Sequence, residues 1–123
     1  DKKTIPIKAY PLENILAEKL ETIVSRGTAN SRPRDFYDLY ILFSLKKDEI
    51  DWNTLHNALT ATATKRGSLS LLSDYEKIIE TIRADSVQND FWKRYSSKNK
   101  FASGISFDET LEVARVILRK SLI

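Results

Sequence analysis

An apolar stripe with helical spacing, beginning at Leu12, constrains the fold more than any other feature of the sequence. Apolar residues recur every three or four positions, so at 3.6 residues per turn they share one face of a helix that we predict from Leu12 to Arg26, just before Gly27. The stripe consists of Leu12, Ile15, Leu16, Leu20, Ile23 and Val24. Because the 123 residues include only 3 glycines and 3 prolines, the rest of the chain also favours long helices over turn-rich sheet.

Further helix signals follow along the chain. Pro33 suits the first turn of a second helix, and Asp51 can cap a third. Ser73 and Ser106 each open a capping-box pattern, at the start of the fourth helix and of the last. The helices predicted after the first cover about residues 33–45, 52–66, 73–84 and 87–95, and then the chain from 106 onward. The sequence therefore predicts a mainly α fold, in which residues 1–123 form a single helical bundle with a short N-terminal strand.

The beginning of the chain is typical of a fragment. It starts at Asp1 without an initiator methionine and passes at once into residues 4–10, which resemble a strand whose proline suits only a sheet edge or a strand start. We expect residues 1–10 to be a strand left from an upstream part of a longer protein. We further expect 11–45 to form a helix pair that carries the candidate site, and 46–123 to add C-terminal helices.

Composition excludes some classes of function. The absence of cysteine removes disulfides, thiolate nucleophiles and cysteine-based zinc sites, and it fits a reducing compartment, so we predict a cytoplasmic protein. No apolar run approaches the roughly 20 residues that span a bilayer, so no membrane partner is predicted. The net charge of +3 permits nucleic acid as a partner without arguing for it.

Lys19 is the first candidate functional residue because it interrupts the apolar stripe, and Arg26 lies on the same side seven residues later. A charge on a core-facing stripe is costly unless it is paired, hydrogen-bonded or lines a wet site. One interpretation is therefore that Lys19 is a functional group. The other is a long stem that carries its ammonium out to water.

Asp35 and Asp38 are the second candidates. They are three residues apart, so they face one side of their helix, where a carboxylate pair can hold a hard cation or handle a proton. The alternative is that acids in a first helical turn only complement the helix dipole.

Three arginines flank the loop between these two helices, and guanidinium groups beside a lysine suit a triphosphate or a nucleic-acid backbone. They are Arg26, Arg32 and Arg34. The simpler alternative is that Arg32 or Arg34 only pairs with Asp35 or Asp38.

Two weaker candidates lie elsewhere. His56, the only histidine, falls within a helical pattern and is more typical of a surface or satisfied histidine than of a catalyst or metal ligand. A run of cations near three aromatic residues is typical either of an RNA-binding strip or of a solvated face over core aromatics. The cations are Lys93, Arg94, Lys98 and Lys100, and the aromatic residues are Trp92, Tyr95 and Phe101.

The candidate residues lie in segments that resemble known motifs. The segment 13–20, followed by Arg26 and the segment 32–38, is similar to the third and fourth motifs of the AbiEii/AbiGii toxin family, nucleotidyltransferase-like proteins of bacterial abortive-infection and type IV toxin–antitoxin systems. The family usually has lysine before its first aspartate in the fourth motif. Here Arg34 stands in that position, which keeps the charge but loses an amine that can be deprotonated.

The resemblance implies a function and roles for the candidates. The family's expected activity is transfer of a nucleoside monophosphate from an NTP to an acceptor such as RNA, with Mg²⁺, in phage defence or toxin–antitoxin systems, and a cognate antitoxin is the expected protein partner. It implies that Lys19, Asp35 and Asp38 are catalytic, with Lys19 at the phosphates and Asp35 as a catalytic or lysine-positioning carboxylate. It also implies that Lys19, Arg26, Arg32 and Arg34 bind the nucleotide.

One part of the family's pattern does not occur in these 123 residues. A Gly-Gly or Gly-Ser turn followed by an Asp-x-Asp pair would bind the triphosphate and two metal ions, and the chain contains no Asp-x-Asp pair. We therefore expect this chain to be the C-terminal portion of such a protein, to bind no metal or nucleotide cofactor by itself and to be inactive alone. The alternative is a non-catalytic helical module that binds an antitoxin protein or nucleic acid.

Overall fold

The mainly α prediction is confirmed. The structure, a computed structural model, describes residues 10–122, and within this range the chain forms seven α-helices and no strand. The N-terminal strand predicted over residues 1–10 lies outside the described residues apart from Tyr10. The helices are α1 Leu12–Arg26, α2 Pro33–Lys46, α3 Trp52–Arg66, α4 Leu69–Leu72, α5 Tyr75–Ala84, α6 Ser86–Lys98 and α7 Phe107–Leu122. Short 3-10 turns follow α1, α2 and α6 at Gly27–Ala29, Lys47–Glu49 and Lys100–Ala102.

Side chains cap the first turns of α3, α6 and α7. The side chain of Asp51 accepts from the Thr54 backbone N–H at 3.0 Å at the start of α3. At α7, the Ser106 hydroxyl accepts from the Glu109 N–H at 3.0 Å, and a Glu109 carboxylate oxygen accepts from the Ser106 N–H at 2.8 Å. The predicted capping box therefore forms there.

The capping box predicted at Ser73 is wrong. The unpredicted helix α4 precedes it, and the Ser73 hydroxyl donates to the Ser70 carbonyl at 2.9 Å instead of capping the next helix. The following helix, α5, begins at Tyr75, after Asp74. A serine close to the end of one helix can satisfy that helix's free carbonyls, so its spacing from a glutamate did not decide its partner.

The core is built around α1. Its apolar stripe is fully buried at Leu16, Leu20 and Ile23, and the helix packs closely against α3 and also contacts α2, α4 and α5. Helix α7 closes the other side of the core against α2, α3 and α5, burying Leu111 and Ile117 completely. The two motif-bearing helices are therefore anchored in one continuous hydrophobic core.

The loop between α1 and α2 is held in place by a residue from α6. The side-chain amide of Gln88, 2% exposed, donates to the backbone carbonyls of Thr28, at 3.0 Å, and Asn30. Within the loop, the Asn30 side-chain oxygen accepts from the Arg32 N–H at 2.9 Å. These bonds satisfy buried polar groups and set where α2 begins.

None of the helices between residues 10 and 122 has the length and apolar character required to cross a membrane.

Two leucines of α2 provide a matched test of this core. We expect Leu39→Ala, at a fully buried position, to lower the free energy of unfolding by about 2 to 5 kcal/mol, because it removes apolar contacts and leaves a cavity. Leu45→Ala, on the same helix but 73% exposed, should change it by no more than about 0.5 kcal/mol. Urea unfolding of both variants measures the difference, and equal effects would contradict the placement of α2.

Candidate functional site

Lys19 of α1 bridges both aspartates of α2. Its Nζ lies 2.9 Å from an Asp38 carboxylate oxygen and 3.3 Å from Asp35 Oδ1. The pairing is possible because Asp35 and Asp38 lie one turn apart on the same side of α2 and face α1. The structure therefore brings together the three residues that the resemblance assigns to catalysis.

Asp35 is the most enclosed charged group of this cluster, with 3% of its side chain exposed. Besides Lys19, it accepts from both ends of the Arg32 fork, Nε to Oδ2 and Nη2 to Oδ1, each at 3.3 Å. The Asn30 amide adds a donor at 3.4 Å from Oδ2. A buried carboxylate needs such donors to offset its loss of hydration, so Asp35 is fixed in position.

Asp38 is more open than Asp35. A quarter of its side chain is exposed, and besides Lys19 it faces the Arg34 Nε at 3.6 Å. Arg34 is itself 77% exposed, so this second pair lies in water and contributes little to stability. The side chains of Asp38 and Arg34 are therefore less constrained by their neighbours than that of Asp35.

These side chains surround an open cleft of about 500 Å³, which has the size of a small-molecule site. Its lining residues are Lys19, Arg32, Pro33, Arg34, Asp35, Asp38 and Tyr95. Three cations face two carboxylates, which leaves one positive charge in excess. The cleft is therefore polar and mildly electropositive.

Arg26 is not part of this cleft. It lies at the end of α1 and lines a separate recess of about 430 Å³ with Asp74 and Lys77 of the α5 region. The sequence interval of seven residues places Arg26 two turns beyond Lys19, where α5 and not α2 is the neighbour. Of the three arginines around the loop, only Arg32 and Arg34 are brought to Lys19.

The histidine also lies apart from the cleft. The His56 Nδ1 is 2.7 Å from the Ser121 backbone carbonyl, so this nitrogen carries the proton and donates. This contact joins α3 to α7 and fits the interpretation of a satisfied histidine.

Tyr95 and Asn30 belong to the site, although sequence reasoning did not assign them to it. Tyr95, from α6, lines the cleft, and partial burial, followed by the nearby Asp38 carboxylate, raises the pKa of its phenol. In the sequence, Tyr95 was a candidate only for a separate RNA-binding strip and was not assigned to the Lys19 site. For Asn30 the available signal was an asparagine three residues before the predicted helix start at Pro33, where its side-chain oxygen can accept the backbone N–H two residues on.

The cleft as it stands does not suit a divalent metal ion. Mg²⁺ requires several free oxygen ligands, whereas both aspartates are already engaged by Lys19 and by arginines. Across residues 10–122, moreover, no group of three or more acidic or histidine side chains is placed to hold a metal. Anionic oxygens suit the cleft better, because its lining includes Lys19 and two partly exposed arginines, Arg32 and Arg34.

A comparison with known protein families shows which family the chain belongs to. A family model described as "Nucleotidyl transferase AbiEii toxin, Type IV TA system" matches residues 1–113. The chain belongs to this family of nucleotidyltransferase-like toxins, whose toxin–antitoxin systems pair each toxin with an antitoxin. No curated protein and no solved structure matches the chain.

The Tyr95 environment predicts a measurable pH effect. In the unfolded chain Tyr95 should lose its proton near its ordinary pKa of 10.0, whereas the folded protein keeps this proton to higher pH. Between the two pKa values the folded state binds more protons, so the free energy of unfolding falls as pH rises. Tyr95→Phe should remove this part of the alkaline destabilisation, as measured by urea unfolding across that range.

Asp38→Asn tests whether the Asp38 carboxylate helps to raise the pKa of Tyr95. Without the carboxylate, the ultraviolet titration of tyrosinate should show Tyr95 ionising at lower pH, whereas Asp90→Asn on the same helix as Tyr95 should leave the titration unchanged. An identical titration for both variants would contradict the placement of Asp38 beside the phenol.

Proposed function

We propose that this chain supplies the Lys19–Asp35–Asp38 part of a nucleotidyltransferase site that transfers a nucleoside monophosphate from an NTP to an RNA acceptor. The activity would serve growth inhibition in a toxin–antitoxin system or in phage defence. The observation that carries the proposal is the Lys19 ammonium, held between two carboxylates at a cleft that retains one positive charge in excess.

Lys19 and the two arginines are the groups suited to phosphate. Arg34 has 77% of its side chain exposed, so its fork can exchange the Asp38 carboxylate for phosphate oxygens at little cost, whereas Arg32, 57% exposed, stays paired with Asp35 and adds its positive charge. Lys19 supplies a compact point charge deeper in the cleft. Charge that develops on a phosphoryl group during transfer would then meet donors that are already oriented.

The two aspartates take different roles in this proposal. Asp35 is buried and accepts from Lys19, Arg32 and Asn30, which suits a group that positions the lysine. Asp38 is partly open to the cleft and suits contact with the reacting groups. Since neither is free to bind a metal here, the metal ions of the reaction would be held by the family's Asp-x-Asp pair, which is not among these 123 residues.

A second function is favoured by one observation. Lys19, Arg32 and Arg34 are all paired with aspartates, as expected for a cluster that only stabilises a helix pair. On that reading the chain is a non-catalytic module, and its partner is the antitoxin protein or nucleic acid. The two functions differ in what removal of Lys19 does.

Substitution of Lys19 separates these functions. In a protein that carries this chain together with the family's Asp-x-Asp core, we expect Lys19→Ala to lower nucleotide transfer to RNA by at least about 100-fold, because an oriented charge at the phosphoryl group is lost. Transfer of labelled nucleotide is measured well below the melting temperature of each variant. Lys65→Ala, at an exposed position of α3, is the control and should retain full activity.

Stability measurements complete this test. Loss of Lys19 leaves the buried Asp35 with fewer donors, so a lower melting temperature is expected under both functions. Near-normal transfer by a destabilised Lys19→Ala protein would reject the catalytic role and favour the binding module.

The isolated chain should bind Mg²⁺–NTP only weakly. The cations of the cleft can contact phosphate, but the metal ligands of the reaction are not among its residues. We expect titration calorimetry with Mg²⁺–ATP and Mg²⁺–GTP to give dissociation constants of about 1 mM or weaker. Micromolar, Mg²⁺-dependent binding would show that a metal site exists within this chain.

A further inference from the structure

Next to the Lys19 cleft is a second recess with aromatic walls. Tyr37 of α2 lies 4.9 Å from Phe101 between ring centroids, and Tyr95 of α6 lies 6.3 Å from Phe101. The recess has a volume of about 310 Å³, and its lining residues are Arg34, Tyr37, Asp38, Tyr95, Asn99 and Phe101. Since Arg34, Asp38 and Tyr95 also line the Lys19 cleft, the two spaces share a wall.

Phe101 is presented to this recess with most of its ring in water. The side chain is 59% exposed, although its neighbour Ala102 is completely buried and anchors the 3-10 turn that carries both. The Asn99 amide further fixes the turn by donating to the Tyr95 carbonyl at 2.9 Å. A single exposed phenylalanine is ordinary, but one held rigidly beside two tyrosines, whose rings are tilted 56° and 75° to it, forms an aromatic cluster with an exposed ring.

The recess is lined by one cation and one carboxylate, Arg34 and Asp38, whereas the chain segment that carries Tyr95 and Phe101 has only positive charges. Residues 91–107 contain four cations and no aspartate or glutamate, and the cations are Lys93, Arg94, Lys98 and Lys100. No ion pair between described residues involves any of these four side chains. The aromatic recess therefore borders a segment that attracts anions.

We propose that the Tyr37–Tyr95–Phe101 recess binds an unpaired base of the acceptor RNA, whose next phosphates follow Lys98 and Lys100. Aromatic rings bordered by cations are the recurring chemistry of single-strand binding, because every base has a stackable face and every linkage carries a charge. This inference rests on the proposed function and names where its acceptor binds.

A strand accounts for the observations better than the nucleotide substrate does. The phosphates of a single NTP would lie against Lys19, Arg32 and Arg34, and they would leave the cations of residues 93–100 without an anionic partner. A strand whose terminal base stacks on Phe101 uses both sets of charges. Because the recess shares a wall with the cleft, the strand end would then lie beside Lys19.

Substitutions of Phe101 test stacking by fluorescence anisotropy of a short labelled oligouridylate, with an abasic oligomer of equal length as second probe. Phe101→Leu keeps an apolar side chain but removes the ring, so binding of the oligouridylate should weaken about fivefold to 100-fold. Phe101→Tyr keeps the ring and should bind about as the unaltered chain does. The abasic oligomer should bind all three proteins alike.

Lysine substitutions test the path of the phosphates. Lys98→Ala and Lys100→Ala should weaken both probes, and each should lower the slope of log affinity against log salt by about 0.7, the value for one phosphate contact on a single strand. Lys65→Ala on α3 is the control and should change neither. Leu45→Ala, which removes another exposed apolar side chain, is the control for Phe101.

Three results would overturn the proposal. The first is that Phe101→Leu binds oligouridylate as tightly as the unaltered chain does. The second is that Phe101→Leu loses as much affinity for the abasic oligomer as for oligouridylate. The third is that the unaltered chain does not bind oligouridylate. Failure of the proposed transfer function is a separate result, because Lys19→Ala is scored by transfer and Phe101→Leu by strand binding. In an active full-length protein, Phe101→Leu should raise KM for the RNA acceptor and leave KM for the NTP unchanged, and the reverse pattern would assign the recess to the NTP base.

Discussion

The ion pairs from Lys19 to Asp35 and Asp38 are the interaction on which the rest of the site depends. They join α1 to α2, with 25% of the Lys19 side chain and 3% of the Asp35 side chain exposed. Breaking such a pair leaves a poorly hydrated charge without its partner, which costs more than the pair contributes while intact. The position of α2, and with it the cleft, is therefore coupled to one lysine in an otherwise apolar stripe.

The cluster combines a fixed inner part with a more exposed outer part. The Asp35 carboxylate accepts hydrogen bonds from three residues, Lys19, Asn30 and Arg32, and so holds Lys19 and Arg32 in fixed directions. Arg34 and Asp38 lie farther out, where water weakens their pairing and a phosphate can compete for it. A rigid inner pair and an exchangeable outer pair are suited to an anionic ligand that must bind, react and leave.

Residues outside the family motifs also line the cleft and the recess beside it. Membership of the AbiEii family places the chain among nucleotidyltransferase-like toxins. The motif residues lie on α1 and α2, whereas α6 and the turn after it supply Tyr95 and Phe101. The helical region beyond the motifs therefore contributes to the site and is more than a support for it.

Local patterns alone predicted most of the helices, though not α4, and marked the charged residues that line the candidate cleft. The apolar stripe predicted α1, and the caps at Asp51 and Ser106 predicted the starts of α3 and α7, because each signal acts within one or two helical turns. The same periodicity marked Lys19 as a charge in an apolar face. Tertiary structure decided which partners meet: it placed Arg26 beside α5, and it brought Tyr95 to the cleft across a sequence distance that no local spacing encodes. A helix face is set by the residues of that helix, but what it contacts is set by packing of the whole core.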